Sequence, residues 1–150
     1  MRVNQFLRLV VERTRQQLPA RRRDFDIRAR FTLVQLFYAR RTVHYEVWVR
    51  GQNRVIEIGL HFESDRVTNA GLLAYFREAP RAFEIKDTLG AEVEAEQWTE
   101  SWARVHELLP YTQLDAATAE QVANHLAQMI ATLQPMLERA LAKTAREKSG

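Results

Sequence analysis

The chain contains no cysteine. That excludes thiol catalysis, zinc–thiolate sites and disulfide stapling, and leaves the redox compartment open. No apolar run approaches the roughly 20 residues needed to cross a bilayer. Asn4, Gln5, Arg8 and Glu12 interrupt the N-terminal segment that a secretion signal would occupy, so a cytoplasmic setting with no membrane partner is expected. There is no G-x-G-x-x-G or Walker sequence, so no cofactor is expected. Ser64, Ser101 and Ser149 lack a nucleophile elbow or an adjacent base. Low-complexity tracts and internal repeats are missing, which disfavours solenoids and linker-joined pairs of domains. What remains is 150 residues, 46% hydrophobic and 27% charged. That is enough to bury one core, so residues 1–150 are read as a single domain.

Lysine is almost absent, being found only at Lys86, Lys143 and Lys148, and arginine carries the positive charge instead. Residues 1–41 hold 11 Arg against Glu12, Asp24 and Asp26, a balance of +8, and the remainder carries −5, which together give the net +3. A nucleic-acid surface needs several cations on one face to neutralise phosphates. Arg21, Arg22, Arg23 and Arg28, joined by Arg2, Arg8 and Arg15, are its candidates. The same residues also read as a solvated loop and helix face in an arginine-rich chain.

Val3, Phe6, Leu7, Val10 and Val11 recur at helical spacing, predicting a helix over 3–17 that Pro19 ends. Pro19 to Asp26 reads as a polar connection. Residues 31–38, 43–50 and 54–63 are dense in aromatic and β-branched side chains or alternate with period two, and read as three strands. A two-residue loop at Gln52-Asn53 sets Val43, Tyr45, Val47 and Val49 opposite Phe62, Leu60, Ile58 and Ile56. The first hairpin sets Leu36 and Val34 opposite Tyr45 and Val47. Apolar then meets apolar throughout, as a buried face requires. A helix follows over 68–78, with Pro80 breaking or kinking it. Residues 92–97 alternate as a strand, and 97–109 suit either a helix or that strand's hairpin partner, with the hairpin favoured because a lone edge is a liability. Asp115 caps a long helix to about Ala145 with a bend expected at Pro135, and Lys148-Ser149-Gly150 is expected to fray.

The expected class is α+β, in the order α-β-β-β-α-β-β-α, with an antiparallel sheet, flanking helices and a long C-terminal helix. This order over residues 3–145 resembles the class I type III secretion chaperones. The resemblance implies a homodimer that holds an extended protein segment on its sheet.

The inferred register places His44 opposite His61 on the outer sheet face, with Glu46 and Glu63 diagonal to them. Two imidazoles and two carboxylates in reach of one another are a metal-ligand set, or a His general base with its orienting acid. A solvated sheet face carries the same polar alternation. Elsewhere on that face Phe31, Leu33, Phe37 and Trp48 are apolar and in phase, a patch that needs a cover, and Trp98 and Trp102 add a second aromatic contact. Glu84-Ile85-Lys86 has the acid-x-Lys form of metal-dependent nucleases, with Asp65 as the missing acid. The leading expectation is a non-enzymatic binding or adaptor protein, homodimeric and holding a protein segment. A nucleic-acid-associated protein is the alternative, and a metal-dependent enzyme at the His/Glu cluster is a further one.

Overall fold

The computed structural model describes residues 1–149. The amphipathic start forms α1 (Val3–Gln17), followed by a 3-10 turn at Ala20–Arg22. Four strands come next: β1 (Asp26–Arg30), β2 (Leu33–Phe37), β3 (Val43–Arg50) and β4 (Val55–Phe62). They lead into α2 (Arg66–Arg77) and α3 (Ala79–Leu89), then β5 (Glu94–Gln97), β6 (Ala103–Pro110) and α4 (Ala116–Ser149). All six strands form one antiparallel sheet in the order β1-β2-β3-β4-β6-β5. The α+β class with an antiparallel sheet and a long terminal helix holds. Of the three terminal residues expected to fray, Lys148 and Ser149 belong to α4 instead, and Gly150 lies outside the described residues.

The inferred pairings are those observed. Val43 faces Phe62, His44 faces His61 and Leu36 faces Tyr45. The β3–β4 loop comprises four residues rather than two, because Arg50 still pairs with Val55. On one sheet face Tyr45, Val47, Ile56, Ile58, Leu60 and Phe62 form a single core with Phe6 and Val10 of α1, Leu72 and Phe76 of α2, and Leu126 and Ile130 of α4. Each such side chain, fully withdrawn from water, contributes about 1.5–3 kcal/mol. The Phe62 and Phe76 rings stack at 5.6 Å, which seats α2 over β4.

Two elements depart from the expected order. The segment read as a polar connection leads into a fourth meander strand, β1, which pairs Asp26 with Phe37 through Arg30 with Leu33. Its pattern is faint because only Ile27 and Ala29 are apolar in an edge strand that is mostly exposed. The strand is returned by a two-residue turn at Phe31-Thr32 with Phe31 at φ 52°, so Phe31 lies in a turn and not in the strand that was expected to carry it. The helix near 68–78 ends at Glu78, where Pro80 opens α3 within its first turn, and one expected helix becomes two.

Asp65 caps α2. Its carboxylate accepts from the Thr68 amide at 3.0 Å and from the Thr68 hydroxyl at 2.6 Å. Asp65→Ala should lower stability by about 1 kcal/mol, and Asp65→Asn should recover most of that, in urea melts of the three proteins. The cap role removes Asp65 from a nuclease triad. Glu84-Ile85-Lys86 is likewise helical, within α3, and the Lys86 ammonium donates to the Ala91 and Val93 carbonyls and pairs with Glu94 at 2.9 Å. Asp115 caps α4 as expected, accepting from the Thr118 amide at 2.8 Å. The helix runs on through Pro135 to Ser149.

Of the arginines named for nucleic acid, Arg22 and Arg23 make contacts that hold the fold. Arg22 pairs with Glu138 of α4 at 2.7 Å, and its carbonyl accepts from the Tyr38 hydroxyl. Arg23 donates to the Leu18 carbonyl at 2.8 Å, closing the end of α1. Arg21 is exposed in the 3-10 turn, and Arg28 sits on β1 opposite Gln35. No helix of the described residues is long and apolar enough to cross a membrane.

Candidate metal centre

Strand alternation sends His44 and Glu46 of β3, and Glu57, Gly59 and His61 of β4, to the sheet face opposite the helices. A face with such side chains is ordinarily wet. Here His61 and Glu57 are 0% exposed, His44 2% and Glu46 5%. Two features close it. At Gly59 the neighbouring strand comes so near that a Cβ there would lie 2.7 Å from the Cβ of His106 on β6, far inside the usual cross-strand spacing of about 4.5–5.5 Å. The β5–β6 turn also brings the Trp98 ring edge-on to His61, with centroids 5.8 Å apart, and the Arg104 guanidinium lies over that indole at 4.6 Å.

One ligand atom from each of His44, Glu46, His61 and Glu63 converges so that all four lie within 4.8 Å of one another. Four donors around an ion with bonds of about 2.0–2.1 Å stand roughly 3.3 Å apart in a tetrahedron. His44 Nε2 is 3.3 Å from Glu46 Oε1 and 3.8 Å from Glu63 Oε2, and His61 Nδ1 is 3.4 Å from Glu63 Oε2. The spacings are close to those an ion would impose.

The outward nitrogens decide which lone pairs point inward. His44 Nδ1 lies 2.7 Å from the Arg41 carbonyl, which can only accept, so Nδ1 carries the hydrogen. His44 Nε2 then faces carboxylate oxygens, a contact that is favourable only with a proton or a cation between them. His61 Nε2 lies 3.0 Å from Glu57 Oε1 and donates to it, and the buried His61 Nδ1 faces Glu63 Oε2. Each ring is thus oriented through its far nitrogen, one by a carbonyl and one by a carboxylate, the arrangement that fixes metal-binding histidines. Glu57 is itself held by Arg104 at 3.2 Å and lies 3.3 Å from His106 Nδ1, and both groups contact Glu96 on β5. Gln35 donates to Glu46 at 3.2 Å.

The electrostatics follow the contacts. Burial pushes the Glu57 carboxyl up, but hydrogen bonds from His106 and His61 and the charges of His61 and Arg104 outweigh it and bring the group down to about 2. Burial also opposes charge on His61, yet the bonds to Glu57 and Glu63 and the charges of Glu57 and Glu46 raise its pKa to about 10. Glu46 is held below its ordinary value by His44 and His61 despite its burial. In the metal-free protein a proton on His61 therefore stands where a cation could.

No family model, no curated protein and no solved structure matches the chain. The site is read from its geometry alone.

All four residues expected as metal ligands come together. Glu57, Arg104, His106 and Trp98's position as a roof were missed. Glu57 was already on the same face, and the alternation of Arg104 and His106 in β6 is the signal that could have found the others, had β6 been placed beside β4. The aromatic surface divides. Leu33 and Trp48 pair directly and are half-buried with Phe37, and Arg50 covers the Trp48 ring at 4.9 Å. Trp98 seals the centre, Trp102 touches it at 6.2 Å, and Phe31 stands apart in its turn. The expectation of a non-enzymatic adaptor working through this face is corrected: the face is closed over a buried ligand cluster rather than presented for a partner.

Proposed function

We propose that this chain is a metalloprotein whose His44, Glu46, His61 and Glu63 bind one divalent ion, and that the centre serves metal-dependent catalysis. The observation that carries the reading is the convergence of the inward nitrogens of His44 and His61, each ring with its opposite nitrogen anchored, on two carboxylates. Two imidazoles with two carboxylates suit a borderline ion such as Zn²⁺, Fe²⁺ or Mn²⁺ better than Mg²⁺ or Ca²⁺, which prefer all-oxygen sets. Carboxylate ligands and one rim residue favour catalysis over a purely structural role. His44, Glu46 and His61 are enclosed, and the Glu63 side chain is 18% exposed at the mouth. A bound ion would act as a Lewis acid and lower the pKa of a coordinated water. Glu63, on the open side, is placed either to complete the coordination or to hold the proton that such a water releases.

Protein purified without added metal, then stripped with chelator, should take up one equivalent of Zn²⁺ or Co²⁺ by calorimetry. Azide added to the Co²⁺ form should change its visible spectrum by entering an open position. Failure to bind any of the divalent ions removes the metal reading, and binding with an azide-indifferent spectrum removes the catalytic one.

The pH dependence has a definite sign. The His61 pKa is raised from 6.5 to about 10, so the stability that this ring lends the metal-free protein is complete below pH 6.5 and is lost as pH rises through about 10. A metal must displace that proton. Zn²⁺ affinity should therefore rise between pH 6 and pH 8, by up to about tenfold per unit. Calorimetric titrations at the two pH values test this, and a flat profile would contradict it.

A further inference from the structure

We propose that the free edge strand β1 pairs antiparallel with β1 of a second copy of this chain, about a two-fold axis at Ile27, so that one sheet runs through both molecules. The Val49 amide donates to the Thr32 carbonyl, so the even-numbered residues of β2 bond to β3 and the odd-numbered ones to β1. Gln35 faces Arg28 and Leu33 faces Arg30, so the even-numbered residues of β1 are the ones bonded to β2. The amides and carbonyls of Ile27 and Ala29 therefore point out of the sheet edge, toward the side where no further strand lies.

The residues along this edge complement themselves. Asp24, Asp26, Arg28 and Arg30 alternate with Phe25, Ile27 and Ala29. Antiparallel pairing centred on Ile27 sets Asp24 opposite Arg30 of the second copy and Asp26 opposite its Arg28, and the symmetry repeats both pairs. Every charge on the outer face then meets its opposite. On the inner face Ile27 meets Ile27, and Phe25 meets Ala29, large against small. Because only the odd-numbered residues can bond outward, the neighbouring registers are few. They centre on Asp26, Arg28 or Ala29, and set Asp26 against Asp26, Arg28 against Arg28, or Arg28 against Arg30. Charges on an edge ordinarily keep other strands away; this order of signs admits one partner in one register. None of the four charged side chains has an ion pair within the chain among the described residues, and Arg30 lies over the Phe31 ring at 5.9 Å.

The shape of the surface agrees. α1 packs chiefly on α4 and leaves the inner face of β1 uncovered, beside a groove of about 430 Å³ lined by Leu7, Val11, Ile27 and Phe31. Ile27 is 44% and Phe31 89% exposed. The two-fold axis turns the second copy's edge toward this groove and covers apolar surface that a single copy leaves in water. The other edge of the sheet, β5, offers no such match, because Glu94 is paired with Lys86, and Glu96 with Arg104 and His106. The proposal is independent of the metal reading, since the His/Glu cluster lies on β3 and β4 and their flanks.

Sedimentation of the full-length protein across the micromolar range should show a monomer–dimer equilibrium that weakens as salt screens the charge pairs. Arg28→Asp and Asp26→Arg each turn two opposite-charge pairs into like-charge ones, and each variant alone should self-associate about tenfold or more weakly. Mixed in equal amounts, the two variants regain opposite charges at every pair and should form a one-to-one heterodimer with about wild-type affinity. Thermal melts of each variant confirm folding. The proposal is overturned by a wild-type protein that stays monomeric, by a dimer that either charge reversal leaves unchanged, or by variants that fail to associate on mixing.

Discussion

His61→Ala should abolish stoichiometric Zn²⁺ binding and also destabilise the metal-free protein, by about 3–5 kcal/mol. The second effect arises because Glu57, Glu46 and Glu63 lose the cation among them, and buried charge left uncompensated is costly. A purely structural ion network would give that loss of stability too, so metal binding is the discriminating measurement. Glu57→Gln separates the two readings further. It leaves all four proposed ligands in place but weakens the anchor on His61 Nε2, and should lower Zn²⁺ affinity about 10–100-fold without abolishing binding. Calorimetry on His61→Ala and Glu57→Gln, with thermal melts to confirm folding, provides the comparison. Wild-type affinity in His61→Ala would leave the cluster as a buried salt-bridge network only, and wild-type affinity in Glu57→Gln would remove the anchoring role of Glu57. For the wild-type protein, Zn²⁺ at 100 times its dissociation constant should add about 2.7 kcal/mol, seen as a shift of several degrees in Tm.

Gly59→Val should force two neighbouring strands of the sheet apart. A Cβ at position 59 would meet the His106 Cβ at 2.7 Å and the Val105 carbonyl at 3.1 Å, and a branched side chain adds more atoms to the same space. Neither neighbour is the free end of a flexible chain. β4 and β6 must therefore separate, at a cost of about 1–3 kcal/mol from overpacking. The separation also pulls Arg104 and His106 away from Glu57, so metal affinity should fall with stability. Gly71→Ala is the matched control. It lies in α2 with nothing within 4 Å of the added methyl, and should raise stability by roughly 0.5–1 kcal/mol. Urea melts of the two variants should move in opposite directions. A neutral Gly59→Val would show that the strands are not held together at this point.

Much of this arrangement was legible in the residue order. The alternation in 43–50 and 54–63, with both inner faces wholly apolar, admits one register, because a one-residue slip would turn Val47 and Ile58 to water. That register alone sets His44 opposite His61 and brings Glu46 and Glu63 beside them. The cap Asp115 and the break at Pro80 are local chemistry that the residues around them report directly, whereas Asp65, read as a candidate acid, is a cap of the same kind. Edge strand β1 was not legible, since a strand buried on neither face has little apolar pattern to show, and its turn depends on a phenylalanine in a conformation that sequence does not announce.

The order of the strands in the sheet lies beyond any local pattern. Hairpin logic pairs β5 with β6 correctly, but nothing along the chain says that β6 inserts between β4 and β5. That choice is non-local: it depends on α2 and α3 carrying the chain across the core before the sheet resumes. It determines whether the His/Glu face is wet or dry. With β6 alongside, Arg104 and His106 reach Glu57, Gly59 lets the strands close, and Trp98 covers His61.

By itself, then, the sequence determined which four side chains share a face, through the period-two alternation of β3 and β4 and the match of their apolar partners. Only the tertiary structure decided that the face is buried. Burial is what turns ordinary surface polarity into a ligand set, because imidazole lone pairs and carboxylates withdrawn from water must be met by a proton, by one another or by a metal ion.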